Sequence, residues 1–224
     1  MAVPIVHIAG DPARMVAERF VAWSANRDAH AHVAVSGGST PKALFTLLAT
    51  TFREQVPWDR VTLYQVDERC VPPDHADSNW RMLKETLLDA VPGIEAHRME
   101  AERGREGALE YQAVLLEKVP CTSQGVPALD LVLLGMGADG HTASLFPGAK
   151  ALHEREAFVV LTEAPTGAQR VTLTYPVIEA AANRWFLVKG ADKADAFERA
   201  RHGELPAGQV RNAEWFVDSA TAQA

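Results

Sequence analysis

The sequence predicts an α/β fold, an open and mostly parallel sheet with helices on both faces. Two observations predict it. Short apolar runs alternate with helix-periodic segments, the wiring of a parallel sheet joined by crossover helices. The most apolar run, residues 129–134, reads as a strand buried on both faces.

The elements follow in order. Residues 5–8 form a short apolar strand. Asp11 and Pro12 then serve as N-cap and first helical residue, and Met15, Val16, Phe20 and Trp23 share one helical face. Residues 32–35 are a second strand, followed by the turn Ser36-Gly37-Gly38-Ser39-Thr40 and a helix from Pro41. Residues 61–66 form a third strand that ends in Asp67-Glu68-Arg69, and Ser78 caps a helix reaching about Leu88. A helical stretch over 102–118 precedes the buried strand. Strands at 158–161, 171–174 and 185–188 come next, with helices at 176–182 and 192–201 and a last edge strand at 214–217. No repeat or low-complexity linker interrupts this order. Residues 120–127 read as a long connection, so residues 1–224 are expected to form one domain.

Composition bounds the function. Hydrophobic residues make up 47% and charged residues 23%, the mix of a soluble globular chain. No apolar run approaches the ~20 residues of a membrane helix, and the start MAVPIVHIAGDP lacks the basic region of a secretory signal. Cys70 and Cys121 are the only cysteines, which favours a reducing cytoplasm. A net charge of −7 without a Lys/Arg cluster argues against nucleic acid as a partner. An acidic chain still binds an anionic metabolite where a few cations and backbone N–H groups converge.

Three segments carry chemistry. Gly37 and Gly38 let the chain turn sharply between a strand and a helix and leave N–H groups uncovered. Ser39 or Thr40 can cap that helix, whose start is then an anion site; the alternative is a capped turn without a ligand. Asp67, Glu68 and Arg69 end a strand where α/β sheets bind ligands, or else form a solvated ion pair. Gly135, Gly137 and Gly140 match GxGxxG, so a dinucleotide site competes. Against it, the motif lies past the chain midpoint, Asp139 falls where a pyrophosphate must sit, and Pro147 arrives too early for a long helix. The loop instead presents His141, a side chain able to take a proton from water near neutral pH, with Asp139 placed to orient it. Arg170, Lys189 and Lys193 close late elements and together could complete a phosphate pocket. No cysteine and histidine spacing resembles a zinc site, and no metal is expected.

These segments resemble the 6-phosphogluconolactonase family. SGGSTPKALF (36–45), VDERCVPPDHADSNWRM (66–82), LDLVLLGMGADGHTASLFPG (129–148) and RVTLTYPVI (170–178) match its blocks in order. The resemblance implies a Rossmann-like fold of the sugar-phosphate isomerase type and hydrolysis of 6-phospho-D-glucono-1,5-lactone, the second step of the oxidative pentose phosphate pathway, without a cofactor. It implies His141 as general base, Arg69 as a substrate and charge-stabilising contact, and the SGGST turn as the phosphate grip. Asp139 or Asp67 would orient the base. Ala138 departs from the family's usual proline, and 164–169 lacks its usual proline pair. Amino-sugar phosphate deaminases carry a Glu shortly after the loop histidine, where this chain has Phe146. A non-catalytic sugar-phosphate sensor would ordinarily add a DNA-binding module, for which there is no spare length.

Overall fold

The chain runs β1 (Ile5–Ala9), α1 (Pro12–Ala25), β2 (Ala31–Val35), α2 (Ser39–Ala49), β3 (Val61–Gln65), β4 (Asp67–Arg69), α3 (Asn79–Leu83) and β5 (Glu95–His97). It continues with α4 (Arg105–Lys118), β6 (Leu131–Leu134), β7 (Val159–Glu163), β8 (Gln169–Leu173), α5 (Tyr175–Ala180), β9 (Asn183–Val188), α6 (Ala194–Arg201) and β10 (Glu214–Asp218). The coordinates are a computed structural model that describes residues 4–223. Seven strands form one sheet in the order β1-β10-β9-β6-β2-β3-β5, and every ladder in it is parallel.

β6 shows why the sheet is covered on both sides. Leu131 and Leu133 join an apolar layer with Phe20 of α1 and Leu44 and Leu48 of α2. Val132 and Leu134 join a second layer with Leu115 of α4, Ile178 of α5 and Phe197 of α6. Side chains alternate along a strand, so a run without polar residues requires a packed layer on each face.

The structure corrects one expectation and adds two features to it. Residues 214–218 are not an edge strand: β10 lies between β1 and β9, and the edges are β1 and β5. Trp215 stacks on Phe186 at 4.0 Å while Phe216 packs edge-on to Trp185 in the opposite layer, a burial that an edge position does not provide. β5 has one apolar residue and gave no strand signal. β7 and β8 do not extend the parallel sheet. They form a hairpin that pairs with β4 in a separate antiparallel sheet. The connection over 164–168 holds only a turn, with Gly167 at φ 84°, and is too short for a crossover helix.

Helix ends shift for local reasons. α4 starts at Arg105 because Gly104, at φ 60°, separates it from a 3₁₀ turn at Ala101–Arg103. α3 continues as a π-helical turn over Lys84–Leu88, which carries the Ser78-capped helix to its expected end. No helix among the described residues is long and apolar enough to cross a membrane.

After β2 the chain moves outward to β3 and β5; after β6 it moves the other way to β9. The carboxyl ends of β2 and β6 therefore flank the reversal of strand order, where open α/β sheets form ligand clefts.

Candidate active site

A cleft of about 210 Å³ opens at that reversal, lined by the segments leaving β2, β3 and β6. The segment after β2 is the glycine turn. Gly38 is the N-cap of α2 at φ 111°, a conformation that L side chains rarely adopt. Ser39 and Thr40 are thus the first two helical residues and not its caps, and the N-cap Gly38 offers no side chain to cap the helix start. The first-turn N–H groups have no acceptor within the helix. Gly37 is needed for a different reason: a Cβ there would lie 1.9 Å from Asn79 Oδ1.

The segment after β6 builds a tight turn around His141. Gly140 N–H donates to Gly137 O at 3.0 Å, and Gly137 N–H donates to His141 O at 3.0 Å. Asp139 Oδ1 accepts the His141 backbone N–H at 3.1 Å and meets His141 Nδ1 at 2.5 Å. Burial pushes the Asp139 carboxyl up, but the His141 N–H, the charge of the imidazole and its ring hydrogen bond outweigh that and hold it below the usual carboxylate value. The Phe146 ring packs on the imidazole with centroids 4.5 Å apart. No helix follows these glycines, since the chain turns back through a bridge between Thr142 and Leu145. The GxGxxG pattern thus lacks the helix a pyrophosphate needs.

β4 supplies the third wall. Asp67 is 6% exposed, and its Oδ2 accepts the Ser144 hydroxyl at 2.6 Å, so Asp139 and not Asp67 holds the histidine. Arg69 pairs in register with Arg170 of β8, and both line the cleft. Arg69 Nη1 donates to Asp77 O at 2.5 Å, and the buried Nε atoms of both arginines have no partner among the described residues. Neither guanidinium forms an ion pair with a carboxylate among the described residues. Burial, together with Arg69 alongside, lowers Arg170 from the usual arginine value.

Lys193 also lines the cleft, with Nζ donating to Met136 O at 2.6 Å. Lys189 does not. It is exposed beyond β9, on the side of Asp218, outside the cleft. Sequence reasoning missed Asn79. The Asp77-Ser78-Asn79 cluster reads as helix capping, and Ser78 Oγ does accept Arg81 N–H at 3.1 Å. Asn79, however, lines the cleft, donating from Nδ2 to Asp67 O at 2.9 Å. No local signal marks it, because its partner Asp67 lies twelve residues earlier in the chain. Glu68 is not a solvated loop charge; it is 2% exposed.

A family model described as "Glucosamine-6-phosphate isomerases/6-phosphogluconolactonase" matches residues 7–217. The 6-phosphogluconolactonase of Nostoc sp. is 40% identical over 168 residues, covering 73% of this chain and 68% of its own. That of Haemophilus influenzae is 32% identical over 221 residues, covering 93% of each. The crystal structure of 6-phosphogluconolactonase from Leishmania guyanensis superposes with a TM-score of 0.87 at 28% identity, covering 100% of this chain and 99% of that one.

Proposed function

The chain belongs to the glucosamine-6-phosphate isomerase and 6-phosphogluconolactonase family, and we propose that it hydrolyses 6-phospho-D-glucono-1,5-lactone to 6-phosphogluconate with His141 as general base. One observation carries this reading. A histidine held by a carboxylate shares its cleft with two arginines that have no carboxylate partner and with an uncapped helix start. Unneutralised guanidiniums beside free N–H groups favour an anionic ligand.

The phosphate binds at the N–H groups of the Gly37–Thr40 turn, with Arg170 and Lys193 as candidate cations. Binding energy from this remote group positions the lactone carbonyl. Asp139 accepts from Nδ1, which places the imidazole proton there and leaves the Nε2 lone pair to deprotonate water. The water attacks the carbonyl carbon, Arg69 stabilises the developing oxyanion, and collapse breaks the ring C–O bond as Nε2 returns its proton to the departing ring oxygen. A lactone is already a reactive ester, so this route requires no covalent intermediate and no cofactor. Phe146 packs against His141 where the related deaminases carry a relay carboxylate, which favours hydrolysis over deamination.

The test is substrate selectivity. Purified protein should hydrolyse the phosphorylated lactone far faster than gluconolactone, once spontaneous opening is subtracted. Equal efficiency on both would remove the phosphate site from the reading.

A further inference from the structure

We infer that Glu68 is a positioning residue for this reaction, fixing Arg69 and Asn79 on the cleft wall by tying together the two ends of the loop between them. The inference rests on the reading of the cleft given above.

Glu68 is almost fully buried in β4 and forms no ion pair among the described residues. It is nevertheless crowded with donors. Oε1 accepts the backbone N–H of Arg69 and that of Asn79, each at 2.8 Å. Oε2 accepts Gln65 Nε2 at 2.8 Å, Ser78 Oγ at 3.1 Å and Trp80 N–H at 2.7 Å. A carboxylate offers about four lone-pair directions, so the group is saturated. The donors come from two segments only, 65–69 and 78–80. Residues 70–77, with Val71-Pro72-Pro73 inside them, form the loop that one side chain closes at its base.

One oxygen thus grips the backbone of both residues that carry the loop's side chains into the cleft. From there Arg69 reaches back to Asp77 O, and Asn79 spans from Asp67 O to the close approach at Gly37. Glu68 touches no cleft surface itself and acts through these neighbours. An amide cannot replace it: every partner donates, so a glutamine would turn its own N–H₂ against donors and leave them unsatisfied.

Glu68→Gln is the test, read as kcat and KM per folded enzyme. kcat/KM should fall by roughly tenfold to a hundredfold, the effect of displacing a reacting group by about an ångström, while the acid limb of the pH profile keeps its position. In an Arg69→Ala background the same change should cost within about threefold, because the guanidinium it places is gone. Unchanged kcat/KM in Glu68→Gln, or a loss that repeats in full on Arg69→Ala, overturns the inference. Should the variant not fold, Glu68→Asp decides, since it keeps the carboxylate and shortens its reach to residues 78–80. A fall of about threefold or more supports the role, and wild-type kinetics refute it. A wild type that fails to open the lactone refutes the activity instead. The same variants are then compared for 6-phosphogluconate affinity by calorimetry, where the Arg69-dependent loss should reappear and its absence counts against Glu68.

Discussion

A single carboxylate oxygen of Asp139 holds His141 twice, by its ring at 2.5 Å and by its backbone N–H at 3.1 Å. Ring orientation is therefore tied to the turn through Asp139, with Phe146 packed on the face of the imidazole. His141→Asn should leave the fold and the affinity for 6-phosphogluconate nearly intact while turnover falls by roughly 10²–10⁴, the usual worth of a general base. The acid limb of the wild-type rate should vanish with it. Steady-state rates across pH and a melting curve check both halves; an active variant or an unfolded one would each end the assignment.

Gly137 gives a test that leaves both dyad residues in place. A Cβ there would lie 2.2 Å from His141 Nδ1 and 2.6 Å from Asp139 Oδ1. Gly137→Ala should lower kcat by about tenfold or more by tilting the ring, with little change in melting temperature. Wild-type turnover in this variant would mean that the imidazole has room to spare.

Arg69 presents a planar fork, one Nη of which is held by Asp77 O, and Arg170 beside it adds like charge. Arg69→Lys should retain some activity and Arg69→Ala much less. An ammonium supplies charge but not two parallel donors. Comparing kcat/KM for the two variants tests this; equal values would show that the fork geometry is not used.

Away from the cleft, His32 should make stability depend on pH. Burial lowers its pKa, and its neighbours partly cancel: Asp130 and Glu95 raise it, whereas His30 and His97 lower it. Its Nδ1 meets Tyr64 OH at 3.0 Å, and Asp130 Oδ2 accepts its backbone N–H. The folded state thus favours the neutral ring more than the unfolded chain does. Its contribution is present above the ordinary histidine value of about 6.5 and is lost as pH falls through the lower folded value. His32→Gln should flatten the decline of melting temperature below about pH 6.5. Parallel slopes for the two proteins would place the effect elsewhere.

The cleft was legible where local sequence sets its shape. Gly37, Gly38 and the Gly137–His141 turn announce themselves because few residues adopt those conformations or admit those close approaches. The parallel sheet was legible through runs such as 129–134. Other features depended on partners distant in the chain. Glu68 looks like a surface charge until residues 78–80 fold back onto it. Lys189 and Lys193 look alike in sequence, but the turn at Gly190 sends only Lys193 to the cleft. β10 looks like an edge because strand order is not written in strand composition.

The position of β10 also bears on how the chain is made. Among the described residues β1 has no ladder partner but β10, and His7 and Glu214, bonded at 2.9 Å, stand 207 residues apart. The earliest of the described strands to leave the ribosome therefore waits for the latest. Until β10 arrives, β9 keeps an open edge, and β1, with Ile5 and Ile8 exposed even in the finished fold, has nowhere to dock. A chain halted before Glu214 loses Trp215, Phe216 and Val217 from the interior along with the seat of β1. Emergence of β10 is thereby a condition of closing the sheet, and chains that stop short of it carry sticky edges by which proteases and chaperones can recognise them.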